Sequence, residues 1–304
     1  MASVLASDAY NKVARLANGR QVSYADVGDG FPVVCLVGMH GHRHYAYLFH
    51  ALAAKHGVRF LCIDRPGYGL SDPSDDATPV PIAFAHILHE LLDMLRIPTF
   101  GLMGQSAGAL FALGIAANDA LKDRIAGAVV LLAPWVGVEK SPFLLKLASC
   151  CPNALLSAGV GCLSASMDVS MSYLGANTSV PVLCAHETDD IDESDETSPV
   201  MPRHVCLGDL RATISTEPQN AIGDVLLCLG RDPRGVGYDA TTITAHVHVV
   251  HGEKDAMVPV AAVLDFVAAM ANATLELVPD ATHSNLGLNE PAMDRVFAQY
   301  SRAP

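Results

Sequence analysis

The sequence is poor in charge, and above all in positive charge. Only 17% of its 304 residues are charged, and 19 Lys and Arg stand against 32 Asp and Glu, which gives a formal net charge of −13. A negative balance of this size disfavours nucleic acid and anionic membranes as partners. Seven of the acids lie in residues 186–196. We interpret that stretch as a solvated loop, because it lacks the glycine and ligand spacing of a calcium loop.

Cysteine is scarce, and the spacings between the cysteines match no recognised motif. Eight cysteines in 304 residues are too few for a disulfide scaffold, and none of their spacings is that of a zinc site. Cys35, Cys62 and Cys228 lie in apolar runs, where we expect them to be buried as small hydrophobic residues. We expect the protein to need neither a metal ion nor a cofactor.

Targeting and membrane signals are also missing. The N-terminal residues, MASVLASDAY, contain no basic region followed by an apolar one, so no signal peptide is predicted. The longest apolar stretch, residues 143–163, is interrupted by Lys146 and Pro152 and is not typical of a membrane span. We therefore expect a cytoplasmic protein; the sequence does not indicate its oligomeric state.

Short apolar runs alternate with helical patterns along most of the chain. Apolar residues recur at helical spacing over residues 82–95, 107–117 and 260–270. Six apolar runs have the length and composition of strands that are covered on both faces: residues 33–37, 59–63, 99–103, 128–132, 247–251 and 274–278. This alternation predicts an α/β fold with a mostly parallel central sheet and helices on both faces.

The alternation stops between Trp135 and about Gly235. This stretch shows no clear strand, and a structureless loop of such length is not expected inside a compact domain. We interpret residues 135–235 as a helical cap that is inserted between two parts of one core, residues 1–134 and 236–304.

Residues 104–108, GQSAG, match the pattern G-x-S-x-G directly after a predicted strand and directly before a predicted helix. The pattern alone is weak, but this setting is that of a nucleophile elbow. In such an elbow a strained turn holds a serine hydroxyl above the sheet at a helix N-terminus. Ser106 is therefore the candidate nucleophile.

A serine nucleophile needs a base, and the base needs an acid that orients it. His283 lies in a polar loop after the last predicted strand, and Asp255 lies in a turn after the strand before it. Both positions are at the carboxyl edge of the predicted sheet, where open α/β sheets place their sites. The order Ser106, Asp255, His283 is the one expected for an elbow serine. Asp232 is the alternative acid, although its neighbours Arg231 and Pro233 favour a turn.

Two further loops resemble loops of the α/β-hydrolase superfamily. Residues 64–71, DRPGYGLS, are similar to its D-R-P-G-x-G-x-S loop, and residues 251–259, HGEKDAMVP, are similar to its H-G-x-x-D-x-x-V-P loop. The resemblance extends over nearly the whole chain. It implies hydrolysis of an ester, amide, thioester or lactone through an acyl-Ser106 intermediate beneath a helical cap. Asp64 and Arg65 are expected to hold their loop rather than to take part in the chemistry.

The chain departs from that superfamily at the end of the first parallel strand. The family usually has His-Gly there, whereas this chain has Val37-Gly38, so a side chain that normally braces the loop is missing. The resemblance implies an oxyanion hole made by the backbone N–H groups of Met39 and Ala107. Each such donor contributes about 3–4 kcal/mol of transition-state stabilisation.

Three histidines, His40, His42 and His44, directly follow this strand. No carboxylate or cysteine stands near them in the sequence to complete a metal site. We interpret them as loop residues near the mouth of the pocket, and we take His40 and Trp135 as candidates for contact with the substrate.

Together these residues predict a serine hydrolase. Because the predicted cap is apolar, we expect its small-molecule substrate to have a largely apolar body. Two alternatives remain open. One is a C–C bond hydrolase, lyase or cyclase that uses the same residues. The other is a hydrolase-like receptor with a cap that closes on a ligand. A dehalogenase or an epoxide hydrolase is disfavoured, since those relatives need a carboxylate nucleophile at the position of Ser106.

Overall fold

A central β-sheet forms the core of the protein in this computed structural model. The structure describes residues 5–74, 77–137, 143–160, 179–181, 204–206, 210 and 216–301. In chain order the strands are β1 (Lys12–Arg15), β2 (Gln21–Val27), β3 (Phe31–Leu36), β4 (Val58–Ile63), β5 (Phe100–Gln105), β6 (Ile125–Leu132), β7 (Ser179–Pro181), β8 (His204–Cys206), β9 (Val247–Gly252) and β10 (Ala273–Val278).

Eight of these strands form one sheet in the order β1-β2-β4-β3-β5-β6-β9-β10. The pairs β1–β2 and β2–β4 are antiparallel, and all the other neighbours in this sheet are parallel. The six strands that apolar runs predicted are confirmed, with small shifts at their ends. The antiparallel strands β1 and β2 were not predicted, because β1 buries one side chain only and β2 carries polar residues such as Ser23 and Asp26.

Helices cover both faces of this sheet. In chain order, the α-helices of the described residues are α1 (Ala46–Lys55), α2 (Val80–Met94), α3 (Gly108–Ala116), α4 (Phe143–Ser149), α5 (153–160), α6 (Ala221–Cys228), α7 (Val260–Ala269) and α8 (Glu290–Tyr300). The helices predicted from apolar spacing correspond to α2, α3 and α7. α8 was not predicted, although Asn289 caps its N-terminus and Pro291 lies in its first turn, both of which are helix-start signals.

Alternate side chains of β3 explain why the sheet has two cores. Val33 and Cys35 pack into a cluster with α1 and α8, whereas Val34 and Leu36 pack into a second cluster with α2 and α3. Successive side chains of a strand point to opposite faces, so a strand that is buried on both faces has a continuous apolar sequence. Cys35, Cys62 and Cys228 are free and buried, as the sequence predicted.

The region between residues 135 and 235 is described only in part. It contains α4, α5, α6 and an antiparallel pair of three-residue strands, β7 and β8. The expectation that this stretch has no strand is therefore wrong, because strands so short leave no alternation for a sequence pattern to show. The acidic residues 186–196 lie outside the described residues, and the division into core and cap stays a prediction. Among the described residues, no helix is long and apolar enough to cross a membrane.

Candidate active site

Ser106 lies in the tight turn between β5 and α3. Its backbone φ of +50° falls in the left-handed region, which is strained for a residue that has a Cβ atom. The turn needs small neighbours: a Cβ atom on Gly108 would overlap the carbonyl oxygen of Leu36, and one on Gly104 would lie 2.8 Å from the Cβ of Ala112. These contacts explain why the pattern has glycine two residues before and two residues after the serine.

The structure brings Ser106, His283 and Asp255 together in one chain of hydrogen bonds. Oγ of Ser106 lies 2.9 Å from Nε2 of His283, and Nδ1 of His283 lies 2.8 Å from Oδ2 of Asp255. Since a carboxylate can only accept, Nδ1 carries the proton and Nε2 is left to accept from the serine hydroxyl. Asp255 follows β9 and His283 follows β10, so both reach Ser106 from the carboxyl edge of the sheet.

The surroundings of Asp255 favour its charged form. Its Oδ1 accepts hydrogen bonds from the backbone N–H groups of Met257 and Val258, each at 2.8 Å. Burial raises the pKa of Asp255, but the hydrogen bonds from His283 and Val258 and the nearby histidines His283 and His251 lower it by more, so the pKa lies below its usual value. An ionised Asp255 fixes the tautomer and the orientation of His283.

Asp232, the alternative acid, lies elsewhere. Its carboxylate accepts from the backbone N–H and the guanidinium of Arg234, at 2.7–3.0 Å. The structure therefore places Asp255, and not Asp232, beside His283.

The loop after β3, residues 37–41, touches the serine; we call it the Gly38 loop. A Cβ atom on Gly38 would lie 2.8 Å from the Cβ of Ser106. Within the described part of the chain, neither the backbone N–H of Met39 nor that of Ala107 has a hydrogen-bond partner. Unpaired N–H groups beside a nucleophile are suited to binding an oxygen that becomes negative. The assignment of these two groups to an oxyanion hole stays a prediction.

A buried ion pair, which was not predicted from the sequence, contacts the Gly38 loop. The guanidinium of Arg65 binds both carboxylate oxygens of Asp224 in α6, with 2.7 Å between Nη2 and Oδ2, and Nη2 also donates to the carbonyl of Gly38 at 2.9 Å. Tyr68 donates its hydroxyl to Asp224 at 2.6 Å. The sequence predicted that Arg65 holds its loop but missed Asp224; a lone acid in the apolar helix sequence AIGDVLLC was the available signal.

His42 and His44 do not lie at the mouth of a pocket, so that interpretation is wrong for both. Their side chains are buried, because Arg43 between them turns inward to ion pairs with Asp64 and Glu217. Burial, together with the charges of Arg43 and His42, lowers the pKa of His44 to about 3. His40 is buried as well, and its Nδ1 lies 2.9 Å from Oε1 of Gln219. A contact between His40 and the substrate stays a prediction.

Folding supplies the carboxylates that the histidine cluster lacks in the sequence. Ligand atoms of His42, Asp64 and Glu217 all lie within 4.8 Å of one another. The cation among them is the guanidinium of Arg43, with Nη1 at 2.8 Å from Oδ2 of Asp64 and Nη2 at 2.6 Å from Oε1 of Glu217. A metal ion would have to displace Arg43 from both carboxylates, so we interpret this group as an ion-pair network.

Trp135 lies directly behind the serine turn. Its backbone N–H donates to the carbonyl of Ser106 at 3.1 Å, and its indole N–H donates to the carbonyl of Cys228 at 2.7 Å. The side chain is 6% exposed and packs in the second core cluster. The structure thus shows a packing role, and contact with the substrate stays a prediction.

Comparison with known proteins identifies the family of this chain. The sequence matches the alpha/beta hydrolase family over residues 33–299, and the chain belongs to that family, as the loop motifs predicted. The fold and the family indicate a hydrolase. No protein of curated function matches the sequence significantly.

Solved structures similar to this chain include two esterases and a meta-cleavage product hydrolase. The esterase from Exiguobacterium antarcticum has 16% identity and a TM-score of 0.65, with 96% of this chain and 99% of that chain covered. A malate-bound thermophilic esterase from Thermogutta terrifontis has 18% identity and a TM-score of 0.62, with 96% and 98% covered. The meta-cleavage product hydrolase from Pseudomonas fluorescens has 16% identity and a TM-score of 0.61, with 97% and 98% covered. At these identities the likeness shows the fold alone.

Proposed function

We propose that the protein is a serine hydrolase that cleaves an ester, thioester or lactone bond in a largely apolar small molecule. The observation that carries this proposal is the hydrogen-bonded chain from Ser106 through His283 to Asp255, which begins at a strained elbow. Such a chain gives an ordinary hydroxyl a base that is already in place. Two of the similar structures are esterases, but at their low identities they carry no argument about the reaction or the substrate.

The first half of the proposed reaction forms an acyl-enzyme. Oγ of Ser106 attacks the substrate carbonyl carbon while Nε2 of His283 takes the hydroxyl proton, and the carbonyl electron pair moves to oxygen. Asp255 stabilises the imidazolium that results. Collapse of the tetrahedral intermediate breaks the bond to the leaving group, which receives the proton from His283.

The second half repeats these steps with water. His283 takes a proton from a water molecule as its oxygen attacks the acyl carbon, and then returns the proton to Oγ of Ser106 as the acid leaves. In both tetrahedral intermediates the backbone N–H groups of Met39 and Ala107 bind the oxyanion. The α3 N-terminus, which begins directly after Ala107, adds a favourable dipole for negative charge.

The proposed apolar body of the substrate is supported by composition. Residues 135–235, the predicted cap, contain apolar stretches such as residues 154–163, ALLSAGVGCL. A cap of this composition favours an acyl chain or an apolar ring over a sugar or a nucleotide.

A panel of aryl esters of increasing acyl length tests the proposal on wild type and Ser106→Ala. We expect Ser106→Ala to lower kcat by at least about 10⁴-fold and to abolish labelling by a fluorophosphonate probe. Ser301→Ala, which removes an exposed hydroxyl of the C-terminal segment, is the matched control and should keep wild-type turnover. Undiminished turnover in Ser106→Ala would contradict the proposal. A wild-type chain that is stabilised by a ligand and turns nothing over would indicate the receptor instead.

The second candidate is a C–C bond hydrolase, lyase or cyclase on the same three residues. Val37 in place of the usual histidine favours it, because this exchange removes a brace of the oxyanion loop. Mass spectrometry of the enzyme quenched during turnover separates the two reactions. An acyl adduct on Ser106 supports the ester hydrolase, and turnover without any adduct supports the second candidate.

A further inference from the structure

The oxyanion donor at Met39 is held through the opposite end of its own peptide group. The N–H of Met39 and the carbonyl of Gly38 belong to one peptide unit, which is planar, and in the trans form they point in opposite directions. Whatever fixes the Gly38 oxygen therefore fixes the direction of the Met39 N–H. That oxygen accepts from Nη2 of Arg65 at 2.9 Å and from the backbone N–H of Gly41 at 3.1 Å.

Arg65 is itself immobilised. Both oxygens of Asp224 bind its guanidinium, and its Cζ lies 4.5 Å from the ring centre of Tyr68 and 5.0 Å from that of Phe111. The Arg65 side chain is 1% exposed and that of Asp224 is 4% exposed. A planar guanidinium that is bound by two oxygens and packed against two rings has one orientation available. The direction of its hydrogen bond to the Gly38 carbonyl is therefore fixed.

Tyr68 helps to hold the carboxylate that orients Arg65. Its hydroxyl donates to Oδ2 of Asp224 at 2.6 Å. In addition, a charged donor on the Gly38 carbonyl polarises the peptide and strengthens its N–H as a donor.

We propose that Arg65, oriented by Asp224, is a positioning residue for the oxyanion hole. Its hydrogen bond to the Gly38 carbonyl fixes the loop, which Val37, in place of the usual histidine, cannot do. Arg65 does not touch the substrate; it sets the direction and the donor strength of the Met39 N–H. This inference rests on the proposed function, because it concerns the oxyanion of the same reaction.

The test uses the double variant Arg65→Met/Asp224→Asn, which removes both charges and leaves no buried charge unpaired. We expect kcat to fall about 10- to 100-fold, because one donor is misdirected and not removed, with KM for the aryl ester within about threefold. A tetrahedral analogue, a trifluoromethyl ketone with the same acyl group, should bind more weakly by the same factor as kcat/KM. A merely structural role would not make the analogue's affinity follow kcat/KM.

Two further variants complete the design. Arg65→Lys keeps a positive charge with one compact donor and should recover part of the lost kcat. Arg59→Met/Asp26→Asn removes an ion pair, with 2.7 Å between Nη2 and Oδ2, that joins β4 to β2 away from the Gly38 loop, and should keep wild-type kcat.

Wild-type kcat and wild-type analogue affinity in a folded Arg65→Met/Asp224→Asn protein would overturn this inference alone, provided that wild-type turnover depends on Ser106. Wild-type turnover that survives Ser106→Ala would overturn the proposed function, and this inference with it.

Discussion

The two sides of Ser106 are built in opposite ways. On one side, Asp255 lies in the turn after β9 and His283 lies in the turn after β10, and the imidazole of His283 is 14% exposed. On the other side, the Gly38 loop rests on the ion pair of Arg65 and Asp224, which is almost completely buried. The first side consists of hydrogen-bonded side chains. The second side is a backbone loop that a buried, charged side chain binds.

This difference matches what each side has to do in the proposed reaction. His283 must gain and lose a proton in each half of the reaction, so it needs side-chain hydrogen bonds that can change. The Met39 N–H must be in place before charge develops and must not move when it does. Substitutions on the first side should therefore impair chemistry with little effect on folding, whereas substitutions on the second should impair both.

The largest expected effect lies on the imidazole side. In Asp255→Asn the side-chain amide would donate to Nδ1 of His283, which leaves the proton on Nε2 and removes the base for Ser106. We expect kcat to fall about 10³- to 10⁴-fold, with the midpoint of thermal unfolding little changed. Steady-state kinetics and calorimetry measure the two quantities. Asp232→Asn is the control, since Asp232 binds Arg234 instead. Equal losses in both variants would remove the distinction between the two acids.

The same contrast explains which residues could be predicted from the sequence. Ser106, Asp255 and His283 each lie in a short motif at a strand end, and local geometry forces the turn that presents them. The strands of the parallel part were also predictable, because coverage on both faces makes their sequences continuously apolar. The position of each candidate thus followed from its own neighbours in the chain.

The loop side is held by contacts between distant segments, and these left little local signal. Asp224 is 159 residues from Arg65 and lies in the region predicted as cap. His42 and His44 were misinterpreted for a related reason: Asp64 and Glu217 come from two other segments to bury the arginine between them. A sequence shows which residues can pair but not which distant segment brings the partner.

A smaller effect, on stability, is expected on the loop side. Asp224→Ala removes the partner of Arg65 and leaves a buried guanidinium with only the Gly38 carbonyl to bind. We expect the free energy of unfolding to fall by about 3–5 kcal/mol, as measured by urea denaturation. Asp119→Ala breaks the ion pair with Lys122. The Asp119 side chain is 93% exposed, so this change should leave the free energy of unfolding close to that of wild type. If Asp224→Ala were as stable as Asp119→Ala, the loop side would not depend on buried charge.

The smallest expected effect is a pH dependence of the free energy of unfolding that arises from buried His44. Burial first, and then the charges of Arg43 and His42, lower the pKa of His44 to about 3, against 6.5 for an ordinary histidine, whereas Glu217 raises it slightly. Below pH 6.5 the unfolded chain binds a proton that folded His44 does not, so the free energy of unfolding falls as the pH falls towards 3. Its contribution is complete above pH 6.5.

The variant that isolates this contribution is His44→Gln, because glutamine keeps a donor for Oδ1 of Asn11, which lies 3.1 Å from Nε2 of His44. Between pH 7 and pH 5 the wild type should lose about 2 kcal/mol more than His44→Gln does, measured by urea denaturation at both values. His86→Gln, which makes the same exchange at an exposed position, is the matched control. If the free energy of unfolding changed equally with pH in wild type and His44→Gln, the His44 imidazole would take up its proton in the folded protein as easily as in the unfolded chain. The surroundings of His44 would then be less rigid than the ion pairs of Arg43 indicate.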